Sequence, residues 1–243
     1  MAQIKFYDLE LNTPQLVWSP NTCKTRFALN YKNIPYETEW VDFSNLHRVV
    51  ANATQNGKRP TVPIIEDFTN NNKVIQESWA IALYLEENFP GTPSLFHGNV
   101  GAHKFFHNYA TTQVLPIIFK FCVLHIQKNC GPQPVQDWFR KDREKFFKKT
   151  LEDFVGDENS LVIPFKNALK PIHTVLAEYP FVTGQKAGWA DLVLASYFTM
   201  LNAIRPELFE SIVLNGFGPS DSTFRNWWTR MEVYRGTVPL ARL

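Results

Sequence analysis

The reading of the chain turns on Trp18–Arg26, WSPNTCKTR. Serine followed by proline starts a helix well: a serine at the N-cap bonds a backbone N–H of the first turn, and proline at the first helical position gives up no needed donor. From Pro20 to Lys32 the chain has few breakers, and Cys23, Phe27 and Tyr31 recur every four residues, so one apolar stripe faces a core. The corner admits three readings. Ser19 is only a cap, or Cys23 is a nucleophile activated by the first helical turns with Lys24 and Arg26 nearby, or the corner holds the thiol of another molecule.

Outward from this helix the pattern is regular. QIKFYDL (3–9) before it and NIPYETEWV (33–41) after it read as strands, and strand, helix, strand in this order form a βαβ unit with parallel strands. An irregular polar segment (44–60) follows. TVPIIED, FTNNNK and VIQE (61–77) then read as a β-hairpin, and SWAIALYLEENF (78–89) as an amphipathic helix stopped by PGTP. Residues 1–90 therefore make one α/β domain with a mixed sheet. Beyond the Pro- and Gly-rich linker PGTPSLFHGN (90–99), helical patterns run through 101–129, 135–155, 165–179 and 189–203, so residues 100–243 make an all-helical domain.

Composition narrows the partners. With 44% hydrophobic and 14% aromatic residues the chain fills a substantial core, and a net charge of +2 is too mild for nucleic acid. The densest basic run, RKDREKFFKKT (140–150), is interleaved with Asp142, Glu144, Phe146 and Phe147 and reads as a solvated helix face. Three cysteines (Cys23, Cys122, Cys130) without CxxC or metal spacing argue for a reducing compartment. MAQIKFYDLE does not read as a signal peptide. The most apolar window, VLPIIFKFCVLHI (114–126), is too short to span a bilayer and carries Pro116, Lys120 and His125. The expectation is a cytoplasmic protein with no membrane partner.

The βαβ unit, TVP opening the hairpin, ES opening the next helix, and GWADLVLAS within a helical domain together resemble the cytosolic glutathione transferases over nearly the whole chain. FYDLEL, the lead into SPNTCKTRFALNYK, and PSLFHG are most similar to the fungal FuA class and the bacterial lignin β-etherases. The resemblance implies a thioredoxin-like N-terminal domain (βαβ-ββα), an all-α C-terminal domain that supplies a hydrophobic substrate site, glutathione as cosubstrate, and a homodimer. It also implies that the Ser19 hydroxyl meets the glutathione sulfur. A free thiol has a pKa of about 8.5, and lowering it by about two units requires roughly 2.7 kcal/mol. A helix N-terminus supplies about 0.3–1 kcal/mol, and a hydrogen bond to a charged group about 1.5–3 kcal/mol, so the hydroxyl is needed.

The same resemblance places further residues. Pro63 is expected in a cis bond after Val62, whose backbone would pair with the cysteinyl part of glutathione. The helix start at Ser78 would receive the γ-glutamyl carboxylate and Glu77 its ammonium, although cap and helix dipole alone would account for both residues. Arg48, Lys58 and Arg59 compete for the glycyl carboxylate. Cys23 lies on the apolar stripe, where a small buried hydrophobe is the default. Asp191 resembles the acidic member of a helix-capping box in which Gly188 replaces Ser or Thr, a structural role. Trp18, Phe43, Tyr109, Thr112, Phe119 and Phe121 are candidate walls for the second substrate. His103 and His107 share a helix face without a third ligand, so no metal site is expected. The activity implied is attack of the thiolate on a hydrophobic aromatic electrophile, with an aryl-oxide leaving group in an etherase. The alternatives are a glutathione-dependent carrier of aromatic or phenolic compounds (a ligandin) and a purely structural module.

Overall fold

The computed structural model describes residues 2–55, 57 and 60–236. The N-terminal half is built from β1 (Ile4–Leu9), α1 (Pro20–Tyr31), β2 (Tyr36–Val41), α2 (Leu46–Thr54), β3 (Ile64–Asp67), β4 (Lys73–Gln76) and α3 (Ser78–Asn88). The sheet order is β2-β1-β3-β4. β1 runs parallel to β2, from Ile4 opposite Tyr36 to Leu9 opposite Val41, and antiparallel to β3, which pairs antiparallel with β4. This is the mixed sheet of a thioredoxin-like domain. β1 lies inside it, and Tyr7 and Leu9 are buried along with Ile4 and Phe6, so the strand is covered on both faces.

A charge inside that layer fixes the βαβ unit. Arg26 of α1 reaches Asp8 of β1 with Nε at 2.9 Å and Nη2 at 2.8 Å, and both side chains are buried. The same guanidinium donates to the Tyr36 hydroxyl at 3.1 Å and to Thr38 Oγ1 at 3.2 Å on β2. Four of its five N–H donors thus have partners, which helps a buried ion pair to persist.

The segment expected to be irregular contains α2. Leu46 and Val50, four residues apart, are its buried face, while His47 and Arg48 are exposed. The helix is closed by Gln55 in the left-handed conformation, with φ of 50°.

The C-terminal half is helical: α4 (Val100–Tyr109), a π-helical turn (Ala110–Val114), α5 (Leu115–Asn129), α6 (Gln133–Phe147), α7 (Leu151–Val155), α8 (Glu158–Glu178), α9 (Trp189–Ile204), α10 (Pro206–Phe209), a second π-helical turn (Glu210–Leu214), α11 (Thr223–Arg230) and α12 (Glu232–Arg235). Three expectations are corrected. The run 135–155 divides at Lys148, whose φ is 55°, and α7 restarts with Thr150 accepting from Asp153 N at 3.1 Å. The helix expected at 165–179 begins at Glu158 and continues through Pro164 and Pro171. The apolar window read as too short belongs to a continuous run, Val100–Asn129, that is long and apolar enough to cross a membrane by length and composition. In the fold Ile118, Phe121, Cys122, Val123 and Ile126 of this run are buried, and α5 packs against α9.

α9 is the axis of the molecule: every residue from Trp189 to Phe198 is buried, and it packs on both α1 and α5. The halves are also tied by polar bonds, Tyr31 hydroxyl to Ala187 O at 2.7 Å, Trp189 N to Leu95 O at 2.8 Å, and Asn30 Nδ2 to Tyr234 O at 2.8 Å.

Candidate active site

Ser19 precedes α1 in an extended conformation, and Pro20 opens the helix. Its carbonyl accepts from Cys23 N at 2.9 Å and Thr22 Oγ1 at 3.2 Å, so its backbone performs the helix entry. Its side chain makes no capping hydrogen bond, and the cap reading of the hydroxyl does not hold. The residue is 4% exposed and lines a cavity of about 370 Å³. Leu9, Asn21, Phe43, Leu46, His47, Pro60, Thr61 and Val62 enclose the N-terminal side of this space, and Trp138, Asp142 and Arg143 of α6 enclose the other.

Cys23 is fully buried, and burial pushes its thiol well above the ordinary range, with Asp8 adding to the effect. A thiol held protonated at neutral pH is a poor nucleophile. Cys23 belongs to the core with Phe27 and Tyr31, as its place on the stripe implies.

The Val62–Pro63 bond is cis, and Val62 lines the cavity beside Ser19. Pro63 O accepts from Glu77 N at 3.3 Å, Thr61 Oγ1 lies 3.4 Å from Glu77 Oε1, and Gln76 Nε2 donates to Thr61 O at 2.8 Å. Glu77 has φ of 81° and ψ of 124°. A non-glycine residue in this region costs about 1–3 kcal/mol, and such strain clusters at ligand sites. Glu77 is the N-cap of α3 and Ser78 its first helical residue, so Ser78 does not cap the helix as the stability reading supposed. The structure thus brings Ser19 and Val62 to one cavity, with Pro63, Glu77 and Ser78 joined to it through the Thr61–Glu77 contact. Arg48 is exposed on α2 and outside the cavity lining. Lys58 and Arg59 lie outside the described residues.

Of the six expected wall residues, Phe43 lines the cavity and Trp18 packs behind it with ring centroids 6.4 Å apart. The others are bound up in the helical domain. The Tyr109 hydroxyl donates to Ala168 O at 2.7 Å, Thr112 Oγ1 to Asn108 O at 2.9 Å, Phe119 packs on Phe147 and Phe154, and Phe121 on Phe165. The wall that sequence reasoning missed is Trp138, which lies against Phe43 and, edge to face, against His47. Asp142 and Arg143, read as part of a solvated face, line the cavity too. The signal was Trp138 itself, a large aromatic at the head of an otherwise charged helical stretch.

The structural role expected of Asp191 holds. The buried Asp191 carboxylate accepts from Val182 N (2.8 Å), Trp227 Nε1 (2.9 Å), Gly188 N (3.2 Å) and Thr183 Oγ1 (3.3 Å). Burial pushes its carboxyl up to about 6 against the pull of these donors. Gly188 occupies the cap position because a Cβ there would come within 2.6 Å of His103 Cε1 and 3.0 Å of Leu95 O. His103 Nδ1 accepts from Ala190 N at 3.1 Å and His107 Nδ1 from Trp189 Nε1 at 3.3 Å, so both rings serve the start of α9. Burial lowers their pKa values to about 4 and about 3, and among the described residues no group of three metal-ligating side chains is present.

The sequence matches the family described as glutathione S-transferase, N-terminal domain, over residues 15–93 and glutathione S-transferase, C-terminal domain, over residues 101–214. The chain belongs to the glutathione transferase family. Among solved structures it is similar to glutathione transferase GSTFuA3 of Phanerochaete chrysosporium, with 30% identity, 99% of this chain and 100% of that chain covered, and a TM-score of 0.83. It is also similar to a glutathione S-transferase of Ceriporiopsis subvermispora in complex with glutathione, with 26% identity, 98% and 99% coverage, and a TM-score of 0.82. A curated relative, the glutathione S-transferase-like protein ustS of Aspergillus flavus, is 23% identical over 93% of this chain and 89% of its own length. The similarity to GSTFuA3 agrees with the resemblance to the fungal FuA class read from the sequence.

Proposed function

We propose that this chain is a serine-type glutathione transferase in which Ser19 donates its hydroxyl to the glutathione thiolate. The observation that carries the reading is a buried serine with no capping bond, set beside Val62 in a cavity shared by both halves of the molecule. The residues present suit a tripeptide: a hydroxyl for the sulfur, the Val62 backbone for a β-like rung, and the Glu77 carboxylate and the helix start at Ser78 for the charged amino-acid end. Residues 1–90 would bind glutathione, and residues 100–243 would contribute the hydrophobic substrate site.

The second substrate is an aromatic electrophile. Phe43 and Trp138 give one side of the cavity two large rings, and Arg143 beside them is paired with Asp142 at 2.9 Å. The thiolate sulfur forms a bond to carbon, and the aryl-oxide departs with the electron pair of the broken C–O bond. Three free, buried cysteines suit a reducing cytoplasm.

Ser19→Ala should slow conjugation roughly ten- to a hundredfold while glutathione affinity measured by calorimetry is nearly intact. Cys23→Ala, assayed beside it, should turn over like the parent. Full turnover in the Ser19 variant would remove the role.

A further inference from the structure

The basic run 140–150 serves the cavity only in part. Asp142 and Arg143 line that space, but KFFKKT (145–150), at the end of α6 and in the turn to α7, lines none of it. Within this stretch Phe146 is 68% exposed. Its ring meets Phe147 edge to face, with centroids 5.2 Å apart. Phe147 is itself fixed, stacked on Phe154 at 3.8 Å and packed against Phe119, while Lys120 Nζ lies 5.2 Å from the centre of the Phe154 ring. The outer ring therefore stands on a rigid base with most of its surface in water.

Charge of one sign accompanies it. Lys141, Lys145, Lys148 and Lys149 are exposed, and among the described residues none of them makes an ion pair. The nearby acids are taken up by arginines: Asp142 by Arg143 at 2.9 Å, and Glu144 and Glu152 by Arg140 at 3.0 and 2.9 Å. α7 adds one acid without an ion pair, Asp153, against four lysines. Lys148 closes α6 with φ of 55°, a conformation that favours glycine, so a lysine is held there against the preference of the backbone. Cations at the end of a helix complement its dipole, which accounts for one or two of these residues. It does not account for a bare aromatic ring among four of them.

We propose that this corner is a docking surface for an anionic membrane, in which Phe146 enters the boundary between headgroups and acyl chains and the lysines meet acidic headgroups. Shape and sign select this occupant. A stable protein interface buries about 1,000 Å² or more and would need a socket for the ring, whereas a fluid lipid surface needs none. The proposal departs from the expectation of no membrane partner, which rested on leader and span, and a surface contact requires neither. It is independent of the role of Ser19. Trp138 of the cavity wall lies about two turns earlier on the same helix, about 12 Å along its axis. Docking at Phe146 holds the cavity near a phase in which apolar aromatic compounds dissolve.

The test is co-sedimentation of the full chain with phosphatidylcholine vesicles, with and without phosphatidylserine, and its capture by immobilised polyglutamate. The parent should bind the phosphatidylserine vesicles at least roughly tenfold more tightly than phosphatidylcholine alone, and should be released as salt is raised. Phe146→Ser should weaken that binding roughly tenfold. Lys145→Gln combined with Lys149→Gln should weaken it roughly twentyfold, from about fivefold per lysine. Both variants should melt, and turn over a water-soluble electrophile, like the parent. A parent that does not bind phosphatidylserine vesicles overturns the proposal, and so does binding that Phe146→Ser leaves unchanged. Capture by polyglutamate without binding to vesicles would also overturn it, in favour of an acidic protein.

Discussion

Lys24, 3% exposed on α1, shows what burying a single side chain can cost. Below about pH 8 it is charged in the folded and the unfolded chain alike, and the full penalty of burying an ammonium is present. Between about 8 and the ordinary lysine value of 10.5 the folded chain has released a proton that the unfolded chain still holds. This group's contribution to stability therefore rises with pH across that window. Lys24→Met should melt higher than the parent at pH 7 and lose that alkaline gain. Calorimetric melts at pH 7 and pH 9.5 would check it, and a lower melting temperature at pH 7 would contradict it. Ser19 and Val62, which both line the cavity, could be singled out in the sequence because they sit in recognisable short patterns. Asn21, which lines the cavity too and accepts from Lys24 Nζ at 3.0 Å, was quoted there without a role, since no spacing rule shows where the lysine nitrogen ends up.

Elements follow the same division between local and distant causes. The strands β1 to β4, α1 and α3 are readable from apolar pattern and turn residues because their buried faces are continuous in sequence. α2 hid because its core contacts are few, Leu46 and Val50, among His47, Arg48 and Asn52. α8 hid its first turns because Pro164 signals a break that tertiary packing of Phe165, Leu169 and Ile172 overrides. At α9 the capping aspartate was legible, but its extra partners Val182, Thr183 and Trp227 come from other elements. Asp191→Ala should leave at least three buried N–H groups unpaired, each worth about 1–3 kcal/mol. Urea unfolding should show a loss of at least about 3 kcal/mol, and a loss below about 1 kcal/mol would mean that the site relaxes around the missing carboxylate.

At the scale of the whole molecule, the cavity exists only because α6 of the helical half faces the Ser19 corner of the sheet half. The two-domain order was visible as a change of periodicity near residue 100, yet which helix would face the corner was not, and most of the expected walls belong to the core between helices. Trp138 is the clearest test of the shared wall. Trp138→Ala should raise KM for an aromatic electrophile roughly three- to tenfold and leave KM for glutathione unchanged. Equal effects on both would mean that Trp138 holds the fold of the cavity and does not meet the second substrate.

The central claim is that the corner at Ser19 keeps a bound thiol ionised, and the most direct measurement is the pKa of glutathione on the protein. The parent should lower it by about two units from the free value, and Ser19→Ala should return at least half of that shift with binding retained. A bound thiol that titrates like free glutathione, or a shift that survives the loss of the Ser19 hydroxyl, would contradict the account.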